Sequence, residues 1–145
     1  MSIDDFSKLT KMILRGNKVY ALGFNRSALS AKQLSLRALS LQVDIGAIIN
    51  DITEMKDIIR LATKDDLFII ITSSDNTHMF ENSQDILYNC NYVVVTFNPY
   101  LSLLKNAKLK FVLPSNFKKY GTFFDEQTIF FVWIEILMHM IDKKV

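Results

Sequence analysis

The residues of this chain best suited to bind a ligand form two short polar segments, each directly after an apolar stretch. The first is Gly23-Phe-Asn-Arg-Ser27, and the second is the hydroxyl-rich run from Thr72 to Thr77. Each is expected to lie between a strand and the N-terminus of a helix, where free backbone N–H groups and the helix dipole favour phosphate. The candidate ligand-binding residues are Asn25, Ser27, Thr72, Ser73, Ser74, Asn76 and Thr77.

Ordinary structural roles explain parts of both segments. Ser27 is equally well explained as the N-cap of the next helix, because serine is a common N-cap residue. The first segment also departs from the dinucleotide-binding fingerprint, since Asn25 occupies the second glycine position. The second segment carries more hydroxyl groups than a cap needs, whereas the carboxylate of Asp75 would repel a bound phosphate.

Few residues are candidates for proton-transfer chemistry. His78 follows the second polar segment, where a helix N-terminus favours a neutral imidazole that can act as a base. Glu126 lies near the start of the last predicted helix. Both residues also have a structural explanation. His78 is equally well explained as an exposed residue of the first helical turn, and Glu126 as an acid placed at the positive end of a helix dipole. Glu135 and His139 are four residues apart, so a structural pair on one helix face is expected.

The composition restricts the class of protein. The chain has 145 residues, half of them hydrophobic, which suffices for one domain with a substantial core. The net charge of +2 gives no indication of a nucleic-acid surface, so direct contact with DNA is not expected. Five basic residues cluster late in the chain and are interpreted as lysines that protect an edge strand: Lys105, Lys108, Lys110, Lys118 and Lys119.

The single cysteine, Cys90, excludes an internal disulfide and indicates a reducing, cytoplasmic location. No His or Cys accompanies it at a metal-binding spacing, so neither a metal nor a cofactor is predicted and Cys90 is expected to be buried. The longest apolar run, from Ile129 to Ile141, is shorter than the roughly 20 residues of a membrane span. It indicates a buried helix or a subunit interface, and no contact with a membrane.

Predicted strands and helices alternate about every 20 residues, which is typical of βαβ units and a parallel sheet. The pattern predicts an α/β fold, arranged as a three-layer α/β/α sandwich, in a single domain over residues 1–145. Helices are predicted at 2–15, 27–41, 51–62, 77–89, 100–106 and 122–143, and strands at 18–24, 43–49, 67–72, 92–97 and 109–113. Ligands of such sheets bind outside the carboxyl ends of the strands.

The two polar segments together resemble the turns of the SIS (sugar isomerase) domain family. That family has a strand-one turn of the form G-x-G-x-S and a strand-three turn of the form S-x-S-G-x-T. Here they are Gly23-Phe-Asn-Arg-Ser27 and Thr72-Ser-Ser-Asp-Asn-Thr77. The lead-in Lys64-Asp-Asp-Leu67 and the strand end Thr96-Phe-Asn-Pro99 also resemble the family, and the resemblance covers residues 2–142.

The resemblance implies a flavodoxin-like sheet of five parallel strands in the order 2-1-3-4-5, sugar-phosphate binding at the second polar segment, and a homodimer. By position, Ser74 and Thr77 match the phosphate-binding hydroxyl groups, and Ser27 matches the strand-one serine. Asn25 and Asp75 stand where the family prefers glycine, whose freedom to adopt a positive φ is lost, although Asn and Asp tolerate that conformation best.

Within the family, the chain is most similar to the C-terminal, effector-sensing domain of RpiR-type bacterial transcription regulators. The helix at 2–15 then matches the lead-in from a DNA-binding domain, and no DNA-binding domain is expected within residues 1–145. Two alternatives remain: a small aldose–ketose phosphosugar isomerase, and a degenerate domain kept for dimerisation through the last helix. In an isomerase the position of the family's catalytic glutamate favours Glu126 over His78.

Overall fold

A computed structural model describes residues 2–73, 87, 90–114 and 126–144. The elements within these residues are α1 (Ile3–Arg15), β1 (Val19–Gly23), α2 (Ser27–Ser40), β2 (Ile45–Ile49), α3 (Ile52–Leu61), β3 (Leu67–Thr72), β4 (Asn91–Thr96), a 3-10 helix (Ser102–Asn106), β5 (Leu109–Val112) and α4 (Glu126–Asp142). The predicted helix at 77–89 lies outside the described residues, except for Leu87, which is helical.

The five strands form one parallel sheet in the order β2-β1-β3-β4-β5. This confirms the α/β fold class and the predicted strand order. The chain runs outward from β1 to β2 and then crosses back to β3, on the other side of β1. The strand order therefore reverses between β1 and β3, and a crevice for a ligand opens at the carboxyl edge of a parallel sheet at such a point.

Helices cover both faces of the sheet, which confirms the three-layer arrangement. On one face α1, α2 and α4 enclose a core that includes Leu34, Phe111 and Trp133. On the other face α3 and the 3-10 helix pack on a second core that includes Met55 and Phe68. All six side chains of β3 are buried, as expected for a continuous apolar strand covered on both sides.

The first helix begins and ends close to the predicted range of 2–15, and a polar side chain caps its start. The Oγ of Ser2 accepts a hydrogen bond from the N–H of Asp5 at 3.3 Å, and α1 stops at Gly16. The same chemistry begins α3, where an Asp51 carboxylate oxygen accepts the N–H of Glu54 at 2.9 Å. These caps position the first turn of each helix independently of its packing.

Two element boundaries differ from the sequence-based predictions for local reasons. Gln42 adopts a left-handed φ of 63°, and Val43 donates its N–H to the carbonyl of Ala38 at 3.0 Å. Because this hydrogen bond attaches Val43 to the last turn of α2, β2 begins at Ile45 instead of Val43. The predicted helix at 100–106 is a 3-10 helix that begins only at Ser102, since Leu101 is extended.

The starts of β1 and β3 are joined at the amino edge of the sheet by a buried carboxylate. Asp66 is 5% exposed, and its two oxygens accept the N–H groups of Lys18 at 3.2 Å and Thr63 at 3.0 Å. The neighbouring Leu67 donates its N–H to the carbonyl of Lys18 at 2.8 Å. The acidic lead-in to β3 is therefore a structural feature, at the edge opposite the polar segments.

Cys90 is buried, as predicted, and its thiol lies 3.8 Å from the carbonyl oxygen of Ile59. Burial, reinforced by the negative charge of Asp66, raises the pKa of this thiol. β5 is an edge strand on which Lys110 is exposed, in agreement with the interpretation of the lysine cluster. Among the described residues, none of the helices has the length and apolar character needed to cross a membrane.

Candidate functional site

The first polar segment makes a close turn from β1 into α2. A Cβ atom placed on Gly23 would lie 2.4 Å from the carbonyl oxygen of Ser27, so no other residue fits without moving backbone atoms. There is thus a steric reason for glycine at this position. It brings the first turn of α2 directly over the carboxyl end of β1.

Asn25 adopts a left-handed backbone conformation, which glycine adopts most readily. Its φ is 55°, in the left-handed region where asparagine is the best tolerated residue after glycine. The N–H of Asn25 donates to the Oδ1 of Asn50 at 2.7 Å, and Asn50 itself has a φ of 56°. An asparagine in place of glycine at this position is therefore compatible with a left-handed turn.

Ser27 does not cap α2, so its alternative explanation as an N-cap residue is wrong. It is the first residue of the helix, and the residue at the N-cap position is Arg26, which makes no side-chain cap hydrogen bond. Ser27 is 1% exposed, and its Oγ has no hydrogen-bond partner in the part of the chain that the structure describes. A buried hydroxyl left in this state costs about 1–3 kcal/mol, so its retention calls for a reason.

The second polar segment begins at the same edge of the sheet. Ile70 of β3 pairs with Leu22 of β1, so the strand end at Thr72 lies beside the β1 turn. Thr72 and Ser73 are both buried, and the Oγ1 of Thr72 donates to the carbonyl of Ser73 at 3.1 Å. The structure brings Asn25, Ser27, Thr72 and Ser73 to one edge, as the sequence predicted.

The remaining predicted site residues lie outside the described residues: Ser74, Asn76, Thr77 and His78, together with Asp75. Their assignment stays a prediction from the sequence. Glu126 is the first residue of α4. The next residue, Gln127, is buried and accepts a hydrogen bond from the Oγ of Ser30 at 2.5 Å. The start of α4 is thereby attached to α2, one turn beyond Ser27.

The expected pair of Glu135 and His139 on α4 is wrong. Both carboxylate oxygens of Glu135 bind Arg37 of α2, with Nε at 2.7 Å and Nη2 at 2.9 Å. The hydrogen bond from Arg37 lowers the pKa of Glu135, against a smaller effect of burial in the opposite direction. The same contact raises the pKa of Arg37. A guanidinium matches a carboxylate in geometry and charge better than an imidazole does.

Three residues near this edge were missed by sequence reasoning: Asn50, Ser30 and Gln127. Each depends on a contact between residues that are 25 or 97 positions apart in the chain. The one available signal was Asn50 itself, since an asparagine directly after a strand often marks a left-handed turn. In the described ranges, no group of three or more His, Cys, Asp or Glu side chains is placed to hold a metal ion.

No protein-family model and no curated protein matches the sequence. Solved structures, however, are similar over nearly the whole chain. An Escherichia coli CFT073 protein, solved in complex with a sugar phosphate, has a TM-score of 0.77 and 18% identity, over 99% of this chain and 80% of that one. The sugar isomerase domain of the Sphaerobacter thermophilus RpiR transcription factor has a TM-score of 0.73 and 14% identity, over 99% and 79%.

The chain has the SIS fold. Vibrio vulnificus NanR, complexed with ManNAc-6P, is also similar, with a TM-score of 0.79 and 13% identity over 99% of this chain and 56% of that one. The resemblance drawn from the polar turns is thus confirmed as a likeness of fold. Within this SIS fold, the β1 turn, the first turn of α2 and the end of β3 form one candidate site at the carboxyl edge.

Proposed function

We propose that this chain is a sugar-phosphate-binding SIS domain that senses its ligand as part of a transcription regulator. The observation that carries the proposal is the buried Oγ of Ser27, which has no partner among the described residues. A hydrogen bond to a ligand would remove the cost of the unpaired hydroxyl. A serine kept for stability alone would be better replaced by alanine at this position.

The electrostatics of the α2 N-terminus support an anionic ligand. The positive end of the helix dipole lies at Ser27, and the N-cap position is held by exposed Arg26. A cation is unfavourable at a helix N-terminus, because both carry positive charge. A phosphate group at the N-terminus of α2 would be attracted by the helix dipole and by the Arg26 guanidinium, and the backbone of the turn would approach it closely.

The solved neighbours support the class of ligand. The Escherichia coli protein and the Vibrio vulnificus NanR were each solved with a sugar phosphate, which in NanR is ManNAc-6P. Proteins of the same fold thus bind this class of compound, and a transcription factor contains a sugar isomerase domain of this fold. We therefore propose that the candidate site of this chain binds a sugar phosphate, without specifying the sugar.

A continuous set of contacts supports the sensing role. α2 begins at the candidate site and is hydrogen-bonded to the start of α4 through Ser30 and Gln127. On α4, the ring of Trp133 lies 5.9 Å from the ring of Phe6, on α1. A ligand that shifts the first turn of α2 would thus act, through packed side chains, on the helix that matches the lead-in from a DNA-binding domain.

Thermal denaturation in the presence of pentose and hexose phosphates tests the binding. A ligand at 100 times its Kd should stabilise the wild type by about 2.7 kcal/mol. Ser27→Ala should leave the unliganded Tm unchanged or higher, and should remove most of the ligand-induced rise. Ser74→Ala is expected to reduce the rise as well. The proposal is wrong if no sugar phosphate raises the Tm of the wild type, or if Ser27→Ala keeps the full rise.

Hydrogen exchange of α1 tests the sensing role separately. Ligand binding should slow amide exchange in α1 as well as in α2. Slower exchange confined to α2 would support binding without a relay. Turnover of an aldose phosphate that is lost in Glu126→Gln would instead support the isomerase.

A second role, dimerisation through α4, is favoured by one observation. The outer face of this helix is apolar: Phe131, Val132 and Ile136 are 37%, 52% and 38% exposed. They line a groove of about 490 Å³ with Thr128 and His139. An exposed apolar helix face in a stable protein marks an interaction site, and a second copy would bury the same face symmetrically.

Sedimentation of the wild type and two variants tests the dimer. Val132→Lys, on the α4 face, should shift the protein to monomer at micromolar concentration. Leu61→Lys is the matched control, since Leu61 is 83% exposed on α3 in the opposite layer. A monomeric wild type, or equal behaviour of the two variants, would contradict the assignment of this face.

A further inference from the structure

The turns that follow β1 and β2 are held together by two hydrogen bonds that run in opposite directions. The N–H of Asn25 donates to the side-chain Oδ1 of Asn50 at 2.7 Å. The N–H of Asn50 donates to the carbonyl of Gly23 at 3.3 Å. Both asparagines are left-handed, with φ of 55° and 56°. The path of the β1 turn therefore depends on a side chain from the neighbouring strand.

The contact with Asn25 also fixes the orientation of the Asn50 carboxamide. A backbone N–H must face the oxygen of the amide and not its nitrogen, so the Nδ2 group points away from Asn25. Asn50 is exposed, and its Nδ2 makes no hydrogen bond to any residue that the structure describes. The result is an oriented, solvent-facing donor at the carboxyl edge of the sheet.

The backbone on both sides of Asn50 is held in place. Ile49, before it, pairs with Gly23 in the sheet, and Asp51, after it, accepts the N–H of Glu54 at 2.9 Å as the cap of α3. A donor on so constrained a segment loses little conformational freedom when a ligand binds. This is a favourable property for a residue that selects among similar ligands.

The strand order places Asn50 on the far side of β1 from the hydroxyl groups of β3. Adjacent strands lie about 4.8 Å apart, so β2 and β3 are separated by roughly 10 Å at this edge. A phosphate bound between the first turn of α2 and the end of β3 is too small to reach across this distance. The part of the ligand that meets Asn50 is thus the sugar.

We propose that Asn50 is a specificity-determining residue of the sugar-phosphate site. Its Oδ1 holds the β1 turn through Asn25, and its Nδ2 donates a hydrogen bond to a hydroxyl or carbonyl oxygen of the sugar. This inference rests on the proposed function. It assigns to Asn50 the discrimination between sugars, whereas Ser27 and the end of β3 at Thr72 and Ser73 face the phosphate.

Two variants distinguish the roles of the Oδ1 and Nδ2 atoms of the Asn50 carboxamide. Asn50→Asp keeps an oxygen for the N–H of Asn25 and replaces the Nδ2 donor by an acceptor. Asn50→Gly removes the side chain and tolerates the left-handed backbone. The matched control is Gln42→Gly, which makes the same kind of change at a φ of 63° at the other end of α2.

The experiment measures the Kd of each variant for a panel of sugar phosphates and for inorganic phosphate. Asn50→Asp and Asn50→Gly should raise the ratio of the sugar-phosphate Kd to the inorganic-phosphate Kd by roughly three- to tenfold, and should reorder the panel. Gln42→Gly should leave the ratio unchanged. If the affinity for sugar phosphates and for inorganic phosphate falls equally, Asn50 only stabilises the β1 turn, and the inference is wrong.

Failure of this inference is distinguishable from failure of the proposed function. If the wild type binds sugar phosphates and both Asn50 variants bind them with the same ratio and order, Asn50 has no role in selection, while the function stands. If the wild type binds none of the panel, the proposed function fails and the inference with it.

Discussion

Ser30 and Gln127 form a buried hydrogen bond of 2.5 Å that joins α2 to the first turn of α4. Ser30 is fully buried, so removal of its hydroxyl leaves the buried Gln127 oxygen without this donor. Ser30→Ala should lower the free energy of unfolding by about 1–3 kcal/mol, as measured by urea denaturation.

Two serines on the same helix serve as references for this change. Ser35→Ala, at a partly exposed position of α2, should change stability by no more than about 0.5 kcal/mol. Ser27→Ala should be neutral or stabilising, because its hydroxyl has no partner among the described residues. The same change in all three variants would show that it reflects the helix as a whole, contrary to the role assigned to the buried bond.

Gly23→Ala should impair folding, because its Cβ would lie 2.4 Å from the carbonyl oxygen of Ser27. Backbone atoms would have to move, at a cost of about 1–3 kcal/mol. Gly46→Ala is the matched control, since the closest atom to its Cβ would belong to the ring of Tyr20, at 3.2 Å. Thermal denaturation of the two variants should place Gly23→Ala well below Gly46→Ala, and the reverse order would contradict the close turn.

The ion pair of Arg37 and Glu135 should give a small dependence of stability on pH. The hydrogen bond from Arg37 holds the folded-state pKa of Glu135 below its ordinary value of about 4.3. The pair therefore stabilises the fold above that value, and its contribution is lost as the pH falls through the folded-state pKa. Both side chains are partly exposed, so the effect is small.

Urea midpoints of the wild type and Glu135→Gln, measured from about pH 7 to about pH 3, check this prediction. The difference between the two urea midpoints should decrease as the pH falls, and should also decrease at neutral pH in about 1 M salt. A gap that is constant over the whole range would mean that packing of the side chain, and not its charge, accounts for the difference.

Cys90 should react slowly with thiol reagents in the folded protein. Its burial raises the pKa of the thiol, and the thiolate is the reactive form. Labelling by a coloured disulfide reagent should accelerate by orders of magnitude in denaturant, because unfolding removes both effects. In a Cys90→Ala background, Asn106→Cys at an exposed position should react at once, and comparable rates for the two folded proteins would contradict the burial of Cys90.

The fold was predictable because its signals are local and repeated. The continuous apolar run of β3 and the alternation of strands and helices predicted the parallel sheet, and the capping residues Ser2 and Asp51 stand directly before α1 and α3 in the sequence. The close turn after β1 likewise has a local signal in the sequence, the glycine at position 23.

The roles of individual polar side chains were less predictable, because each depends on a partner that spacing does not reveal. His139 is four residues from Glu135, yet Glu135 binds Arg37, 98 positions distant, because the Arg37 guanidinium can form two hydrogen bonds to the carboxylate. Ser27 has the sequence position of a cap, but the close turn at Gly23 buries it. The role of Asn50 depends on its contact with Asn25, 25 positions earlier in the chain.

The carboxylate of Asp66, which ties β1 to the loop before β3, has a consequence for the detection of related genes. It lies at the edge of the sheet away from the candidate site and accepts backbone N–H groups of Lys18 and Thr63. Selection on ligand binding therefore acts on it only through folding. A genome search built on this acidic lead-in will gather proteins of shared architecture, whereas one built on Ser27 and Asn50 would select those that share the ligand contacts proposed here.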